Sequence, residues 1–302
     1  MTVPPISARW MGDAPAKVNL RLDVLERDET GYHQIETVFQ AVELSDRLVV
    51  IVEEGDGVAL ELSGVPNGAL GPSEQNLAVQ AADAFRVALI AGGRSCPGIR
   101  IALEKVIPHG AGLGGGSSDA AAVLLGLNQL FDQPLSDAEL ARLGADLGSD
   151  VPFFVCGVAR AMGWGRGDRI VPLDPLPARD VLLVVPSAPI ATERAYRVLA
   201  EQRVGMEVSA RAGSGARAGS AGSWADAASG AHNDFEVALF PLRPELAAIK
   251  TTLTGAGARL ALLCGSGSAV FGVFDDEQAV ARADAEVAGL GVDARTLRTR
   301  TR

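Results

Sequence analysis

Residues 110–119 read Gly-Ala-Gly-Leu-Gly-Gly-Gly-Ser-Ser-Asp, a run that constrains the fold more than any other part of the chain. Gly110, Gly112, Gly114, Gly115 and Gly116 each lose more backbone freedom on folding than another residue would. Their use is to let backbone N–H groups approach a ligand closely and to permit positive φ. Upstream, residues 99–107 read as a strand ending at Pro108. Downstream, Ala120-Ala121-Ala122-Val123-Leu124-Leu125 is a strong helix former. Ser117 and Ser118 stand where an N-cap would be, and the positive end of the helix dipole points at the loop. Bare amides at a helix start make an anion site, suited to the phosphates of a nucleotide. The alternative is a flexible connector with clustered glycines, which the flanking strand and helix disfavour. No Lys follows the last glycine, so this is not a Walker loop. The glycine run is also longer than a dinucleotide fingerprint, and no acidic residue ends a following strand about 20 residues on.

A chain of 302 residues has room for two domains or one large one. Its formal net charge is −10, so the general attraction to phosphate that drives nonspecific nucleic-acid binding is missing. An anionic ligand must be held by a local site, against the overall field. Cys96, Cys156 and Cys264 are scattered and odd in number, which reads as reduced thiols in a cytoplasmic protein. His33, His109 and His232 form no metal-ligand spacing. No signal peptide and no membrane span are expected.

Residues 17–25 alternate, with Val18, Leu20, Leu22 and Val24 on one face and Lys17 and Asn19 on the other. Further strands are expected at 36–42, 47–53 and 58–62. A helix is expected at 76–91, with Leu77, Ala81, Ala84, Phe85 and Ala88 as its apolar stripe. Ser136 and Glu139 make a capping box for a helix over 136–147. Beyond residue 175 come a strand at 181–185, helices at 192–201 and 243–252, strands at 260–263 and 269–274, and a helix at 277–288. Residues 203–231 collapse into Ala, Gly, Ser and Arg, too poor in bulky apolar groups to order themselves, and read as a flexible insertion. The irregular alternation favours α+β over a doubly wound sheet. The expected domains are 1–174 and 175–302, with the insertion inside the second.

The segment from Pro108 to Ser118 closely resembles the nucleotide loop of the GHMP superfamily, that of galactokinase, homoserine kinase, mevalonate kinase and phosphomevalonate kinase. Ala14-Pro15-Ala16-Lys17-Val18-Asn19-Leu20, Gly31-Tyr32-His33 with Glu36-Thr37, and Gly148-Ser149-Asp150-Val151-Pro152-Phe153-Phe154 narrow the match. With Asn233-Asp234-Phe235-Glu236 and Gly265-Ser266-Gly267-Ser268, the set resembles the 4-diphosphocytidyl-2-C-methyl-D-erythritol kinase family, in register from about residue 14 to 275.

The resemblance implies a two-domain GHMP-kinase-like α+β fold with the active site in the interdomain cleft. It implies ATP as co-substrate and phosphorylation of the 2-hydroxyl of a cytidine-diphosphate-linked methylerythritol, in the non-mevalonate route to isoprenoid precursors. Asp150 would accept the proton of the attacking hydroxyl; read locally, it could equally cap a turn. Lys17 would hold that carboxylate ionised and offset charge on the phosphoryl group; the bland alternative is a solvated strand face. Asn19, sharing that face, would contact the substrate. Tyr32 would stack on cytosine and His33 would hydrogen-bond its edge, with Thr192 and Tyr196 from the segment that supplies the other aromatic wall. Tyr196 also reads as an ordinary packed helix residue. Pro108, His109, Gly110, Ala111, Gly112, Leu113, Gly114, Gly115, Gly116, Ser117 and Ser118 would surround the phosphates, with His109 playing no chemical part. Gly265, Ser266 and Gly267 would close on them as a second amide-rich turn. Asn76 and Lys105 match positions at the adenosine end, and also fit a helix cap and a strand-end charge. Mg²⁺ is implied by the phosphate chemistry, with Ser118 the one ligand to try. The partner is then a small molecule rather than a nucleic acid or membrane, and the protein a monomer or weak homodimer. Rival readings are another small-molecule kinase or a decarboxylase of the superfamily, and a nucleotide-binding sensor without catalysis.

Overall fold

A computed structural model describes residues 4–66, 68–203 and 222–302. The first part of the chain forms β1 (Arg9–Arg27), β2 (His33–Glu53), β3 (Val58–Ser63), α1 (Leu77–Ala91), β4 (Gly98–Glu104), α2 (Gly115–Leu130), α3 (Asp137–Leu147) and α4 (Val151–Cys156). Then follow β5 (Arg160–Gly165), β6 (Arg169–Pro172), β7 (Asp180–Pro186), α5 (Thr192–Gln202), α6 (Trp224–Ser229), β8 (His232–Asn233) and α7 (Phe235–Leu239). The last elements are α8 (Pro244–Gly255), β9 (Leu260–Leu263), β10 (Val270–Phe274), α9 (Glu277–Ala288) and β11 (Ala294–Arg300). The mixture is α+β, as the irregular alternation implies. The strands expected at 36–42 and 47–53 are one continuous strand, β2.

Two compact units interleave along the chain. One takes residues up to 16, 44–109 and 114–158; the other takes 17–43, 110–113 and 159 onward. The expected domains were contiguous, but β1 and β2 are long enough to give residues to both units.

In the first unit β4 lies between β3, parallel to it with Ile99 opposite Val58, and the end of β2, antiparallel with Glu104 opposite Arg47. Helix α1 buries Ala78, Ala81, Ala82, Phe85 and Leu89. The expected stripe is rotated, because the bulky Phe85 and Leu89 set the inward face and leave Leu77, Ala84 and Ala88 half-buried. Phe85 meets Phe131 at the end of α2 with ring centroids 5.7 Å apart. The capping box of α3 forms as read, Ser136 accepting from Glu139 N while the Glu139 carboxylate reaches back.

In the second unit β11, β7, β10 and β9 lie side by side, all antiparallel. Val181, Leu182, Leu183 and Val184 are fully buried, the pattern of a central strand covered on both faces. Leu182 and Val184 join Leu246, Ile249, Leu253 and Val280 in a core that also takes Leu22, Val24 and Ile35 from β1 and β2. The unforeseen β11 is an outer strand rich in Arg and Thr, whose charges blunt an exposed edge. In the same unit, β5 pairs antiparallel with β2 over Ile35–Gln40, and β8 pairs parallel with β1 at Arg21 and Leu22.

The insertion needs correction at its C-terminal end. Residues 222–231 are structured: Ser223 caps α6, and Trp224 is buried with its indole N–H donating to Pro177 O at 2.7 Å. One bulky aromatic supplies the anchor that the average composition concealed. Residues 204–221 of the expected insertion lie outside the described residues. Cys96, Cys156 and Cys264 are free thiols. No helix among the described residues is long and apolar enough to cross a membrane.

Candidate active site

Apolar side chains anchor the glycine loop while its glycine backbones stay near the surface. Ala111 and Leu113 are buried; Ala111 O accepts from Ala269 N at 3.1 Å and Leu113 O from Lys17 N at 2.9 Å. Gly112, at φ 81°, runs so close to the 264–269 turn that a Cβ would lie 2.0 Å from Cys264 O. The N-cap of α2 is Gly114, in the left-handed region at φ 72°. Ser117 and Ser118, expected at the cap, lie inside the first helical turn instead, because Gly114 makes the reversal without a side chain. Ser118 N donates to Gly114 O at 2.9 Å, so the N–H groups of Gly115, Gly116 and Ser117 precede the first helical hydrogen bond. Gly116 is exposed, and a Cβ there would meet only Leu77 Cδ1, at 3.6 Å. His109 is exposed and Pro108 half-buried at the loop's start. Ser118 is buried, with a hydroxyl that finds no hydrogen-bond partner among the described residues.

Beneath this loop lies a buried charge cluster. Asp46, fully enclosed at the middle of β2, accepts from Val106 N and, at 2.8 Å, from Ile107 N through Oδ1. Its Oδ2 takes the Lys105 ammonium, which also donates to Asp119 Oδ2 at 2.6 Å. Burial pushes the Asp119 carboxyl up to about 7; Lys105 pulls it down and Asp46 pushes it further up. The Lys105 ammonium is thus committed to two carboxylates. Asn76 caps α1, its side-chain oxygen accepting from Ala78 N at 2.9 Å.

Asp150 occupies the N-cap position of α4 in helical backbone, and its side chain makes no capping hydrogen bond. Its segment lies against the loop's helix, since a Cβ on Gly148 would be 3.7 Å from Ser117 Oγ.

Within the second unit, Lys17 and Asn19 are 4% and 2% exposed, so theirs is no solvated strand face. Lys17 Nζ donates to Asn19 Oδ1, Asn19 Nδ2 to Thr37 Oγ1, each at 2.8 Å, and Thr37 Oγ1 to Arg21 O at 2.7 Å. The ammonium stands beside the second glycine turn, 3.4 Å from where a Cβ on Gly265 would be. Asn233 braces that turn, donating to Leu263 O and Gly265 O, each at 2.8 Å, and Glu236 accepts from Leu263 N at 2.9 Å. Ser266 Oγ lies 3.0 Å from Thr192 Oγ1, bringing together two residues expected at different substrates. Burial pushes the Cys264 thiol up to about 12 against the pull of Lys17, which leaves it inert.

Of the expected base-binding residues, His33 and Tyr196 are brought together, whereas Tyr32 has a different neighbour. Tyr32 is 62% exposed, with the Arg166 guanidinium 4.2 Å from its ring centroid. His33 stacks on Tyr196 at 5.3 Å and 20°, and Tyr196 meets Phe235 edge-on at 4.9 Å. Asp234 is drawn to about 2: burial pushes it up, and hydrogen bonds from His232, Val24 N and Arg203 outweigh that. Asp23, His232 and Asp234 bring possible ligand atoms within 4.8 Å, a grouping that sequence spacing did not reveal. Arg21 already pairs with Asp23 and Arg203 with Asp234, which opposes a metal there.

Residues 76–158 match the family described as GHMP kinases N terminal domain, and residues 214–292 match GHMP kinases C terminal. The 4-diphosphocytidyl-2-C-methyl-D-erythritol kinase of Moorella thermoacetica is 43% identical over 274 residues, covering 89% of this chain and 91% of its own length. That of Solibacter usitatus is 41% identical over 271 residues, with 89% and 83% covered. The chain belongs to the 4-diphosphocytidyl-2-C-methyl-D-erythritol kinase family of GHMP kinases. A solved 4-(cytidine 5'-diphospho)-2C-methyl-D-erythritol kinase superposes with a TM-score of 0.73 at 36% identity, covering 97% of this chain and 99% of its own. Homoserine kinase from Cytophaga hutchinsonii, at 18% identity and a TM-score of 0.72 over 99% of this chain and 96% of its own, shares the fold. As a member of this family the chain is an ATP-dependent small-molecule kinase. Sequence reasoning missed Asp46, Arg166 and the bracing role of Asn233, since each acts on a segment distant in the chain.

Proposed function

We propose that this kinase transfers the γ-phosphoryl group of ATP to the 2-hydroxyl of 4-diphosphocytidyl-2-C-methyl-D-erythritol, in the non-mevalonate route to isoprenoid precursors. The observation that carries the reading is 41–43% identity, over 89% of the chain, to enzymes of that name.

The open amides of Gly115, Gly116 and Ser117, at the positive end of α2, receive the phosphates. The Pro108–Leu113 stretch sets the loop's course, Gly265–Gly267 adds a second amide-rich turn, Asn76 serves the adenosine end, and Lys105 acts there through the segment it holds. Asp150 accepts a hydrogen bond from the acceptor hydroxyl, orients it and takes its proton late in the transfer. Lys17 offsets charge on the moving group. Asn19 and Thr192 contact the acceptor. Tyr32, His33 and Tyr196 recognise cytosine through ring faces and an imidazole edge.

The buried, unpartnered hydroxyl of Ser118 suits a hard divalent cation, and it would hold Mg²⁺, which when bound neutralises phosphate charge. The protein works in the cytoplasm as a monomer or weak homodimer, without nucleic acid.

An acceptor panel tests it. With ATP and Mg²⁺, ADP release is expected with the cytidine-linked substrate and not with mevalonate or homoserine. Turnover of either rival alone replaces the substrate. ATP binding with no turnover of any acceptor leaves a sensor.

A further inference from the structure

The buried cluster under the glycine loop contains two carboxylates for which the proposed chemistry has no use. Asp46 uses both of its oxygens on one short stretch: Oδ1 on the Val106 and Ile107 amides, Oδ2 on the Lys105 ammonium. That stretch is the last before Pro108, where the loop begins. Across from it, Asp119 belongs to the first turns of α2 and holds the same ammonium at 2.6 Å. The helix start docks directly on the segment Asp46 holds. A Cβ on Gly115 would lie 3.0 Å from Ile107 Cγ2 and 3.4 Å from Asp46 Oδ2.

Burying three ionisable groups together is a poor route to stability, because desolvation commonly exceeds what the ion pairs return. Apolar residues of similar volume would fill the space as well. What they could not do is fix a strand end and a helix start in one relative position through directed bonds. Here that position decides where the open amides of Gly115, Gly116 and Ser117 point.

We propose that Asp46 and Asp119 are positioning residues for the nucleotide, joined through Lys105, and that together they hold the start of α2 in its phosphate-receiving arrangement. The proposal rests on the reading of this loop as the phosphate site. It assigns Lys105 an indirect part: the ammonium sets the loop rather than meeting the ligand.

The test compares Asp119→Ala, Asp119→Asn and Asp46→Asn in the full-length protein, by titration with a nonhydrolysable ATP analogue and by steady-state kinetics. Asp119→Asn keeps an oxygen for the Lys105 ammonium and should bind the analogue within about threefold of wild type. Asp119→Ala should bind it at least tenfold more weakly, with KM for ATP raised alike and KM for the acceptor unchanged. Asp46→Asn should show the larger loss. A structural role alone would lower the folded fraction or melting temperature without separating the two KM values. Folded Asp119→Ala with wild-type ATP affinity overturns the proposal, as does an equal loss in Asp119→Asn and Asp119→Ala. If Asp46→Asn does not fold, the Asp119 pair decides alone. Wild-type protein that fails to bind the analogue refutes the phosphate-site reading itself, a result distinct from any of these.

Discussion

The glycine loop and the loop from Asp28 to His33 are both proposed ligand loops, and they are held in opposite ways. Buried groups fix the first: Asp46 is fully enclosed, Lys105 lies between two carboxylates, and Ala111 and Leu113 are sunk into the protein. Surface charges organise the second. Asp28 accepts from Thr30 N at 2.9 Å and Tyr32 N at 3.1 Å, and pairs at 3.2 Å with Arg166, which lies over the Tyr32 ring. Exposed pairs of this kind are weak and screened by salt. A phosphate group demands one fixed set of donors, whereas a flat base tolerates some slack in the ring that meets it. Rigidity falls where the charge is, and adjustability where the stacking is.

The largest expected effect marks off the chemistry from both loops. Asp150→Asn should lower kcat by about 10²- to 10⁴-fold while KM for either substrate stays within about threefold; unimpaired turnover removes Asp150 from the mechanism. Gly112→Ala comes next. Its Cβ would lie 2.0 Å from Cys264 O at φ 81°, so urea unfolding should show a loss of about 2 kcal/mol or more. Gly116→Ala separates fold from ligand, since only Leu77 is near. Stability should hold or rise by up to about 1 kcal/mol, while KM for ATP climbs about tenfold. An unchanged KM would break the comparison at the glycine loop. In the other loop, Arg166→Ala should raise KM for the cytidine substrate by about threefold or less, more at low salt than at high. A loss as large as that of Gly116→Ala would show this loop to be just as rigid.

The smallest effect is in acid. Asp28 is held down to about 2, chiefly by its side-chain hydrogen bond with Thr30. Its contribution is complete above the ordinary carboxylate range near 4 and lost as pH falls through 2. Thermal melts of wild type and Asp28→Asn should differ by a constant amount above pH 5 and converge between pH 4 and 2.

Local rules were readable where one segment carries the whole signal. Asn76 and Ser136 cap their helices as read, and the glycines lead from a strand into a helix. The failures have a common cause in partners far along the chain. Alternation put Lys17 and Asn19 opposite the apolar face, but only the packed structure shows that face buried too. Asp46 has no local signature, because its partners lie about 60 residues on. Trp224 was lost in the average of its Ala/Gly/Ser surroundings, although one indole with a carbonyl partner suffices to anchor a short helix. Asn233 was recognised as part of a motif, yet its work on the Gly265 turn appears only once β8 lies in place beside β9.

Titration of uniformly ¹⁵N-labelled protein with a nonhydrolysable ATP analogue, followed by amide chemical shifts, tests the account most directly. The account predicts that the backbone amides of Gly115, Gly116 and Ser117 move first and furthest as the analogue saturates. Saturation with those three amides unmoved, and the largest shifts elsewhere, would contradict it.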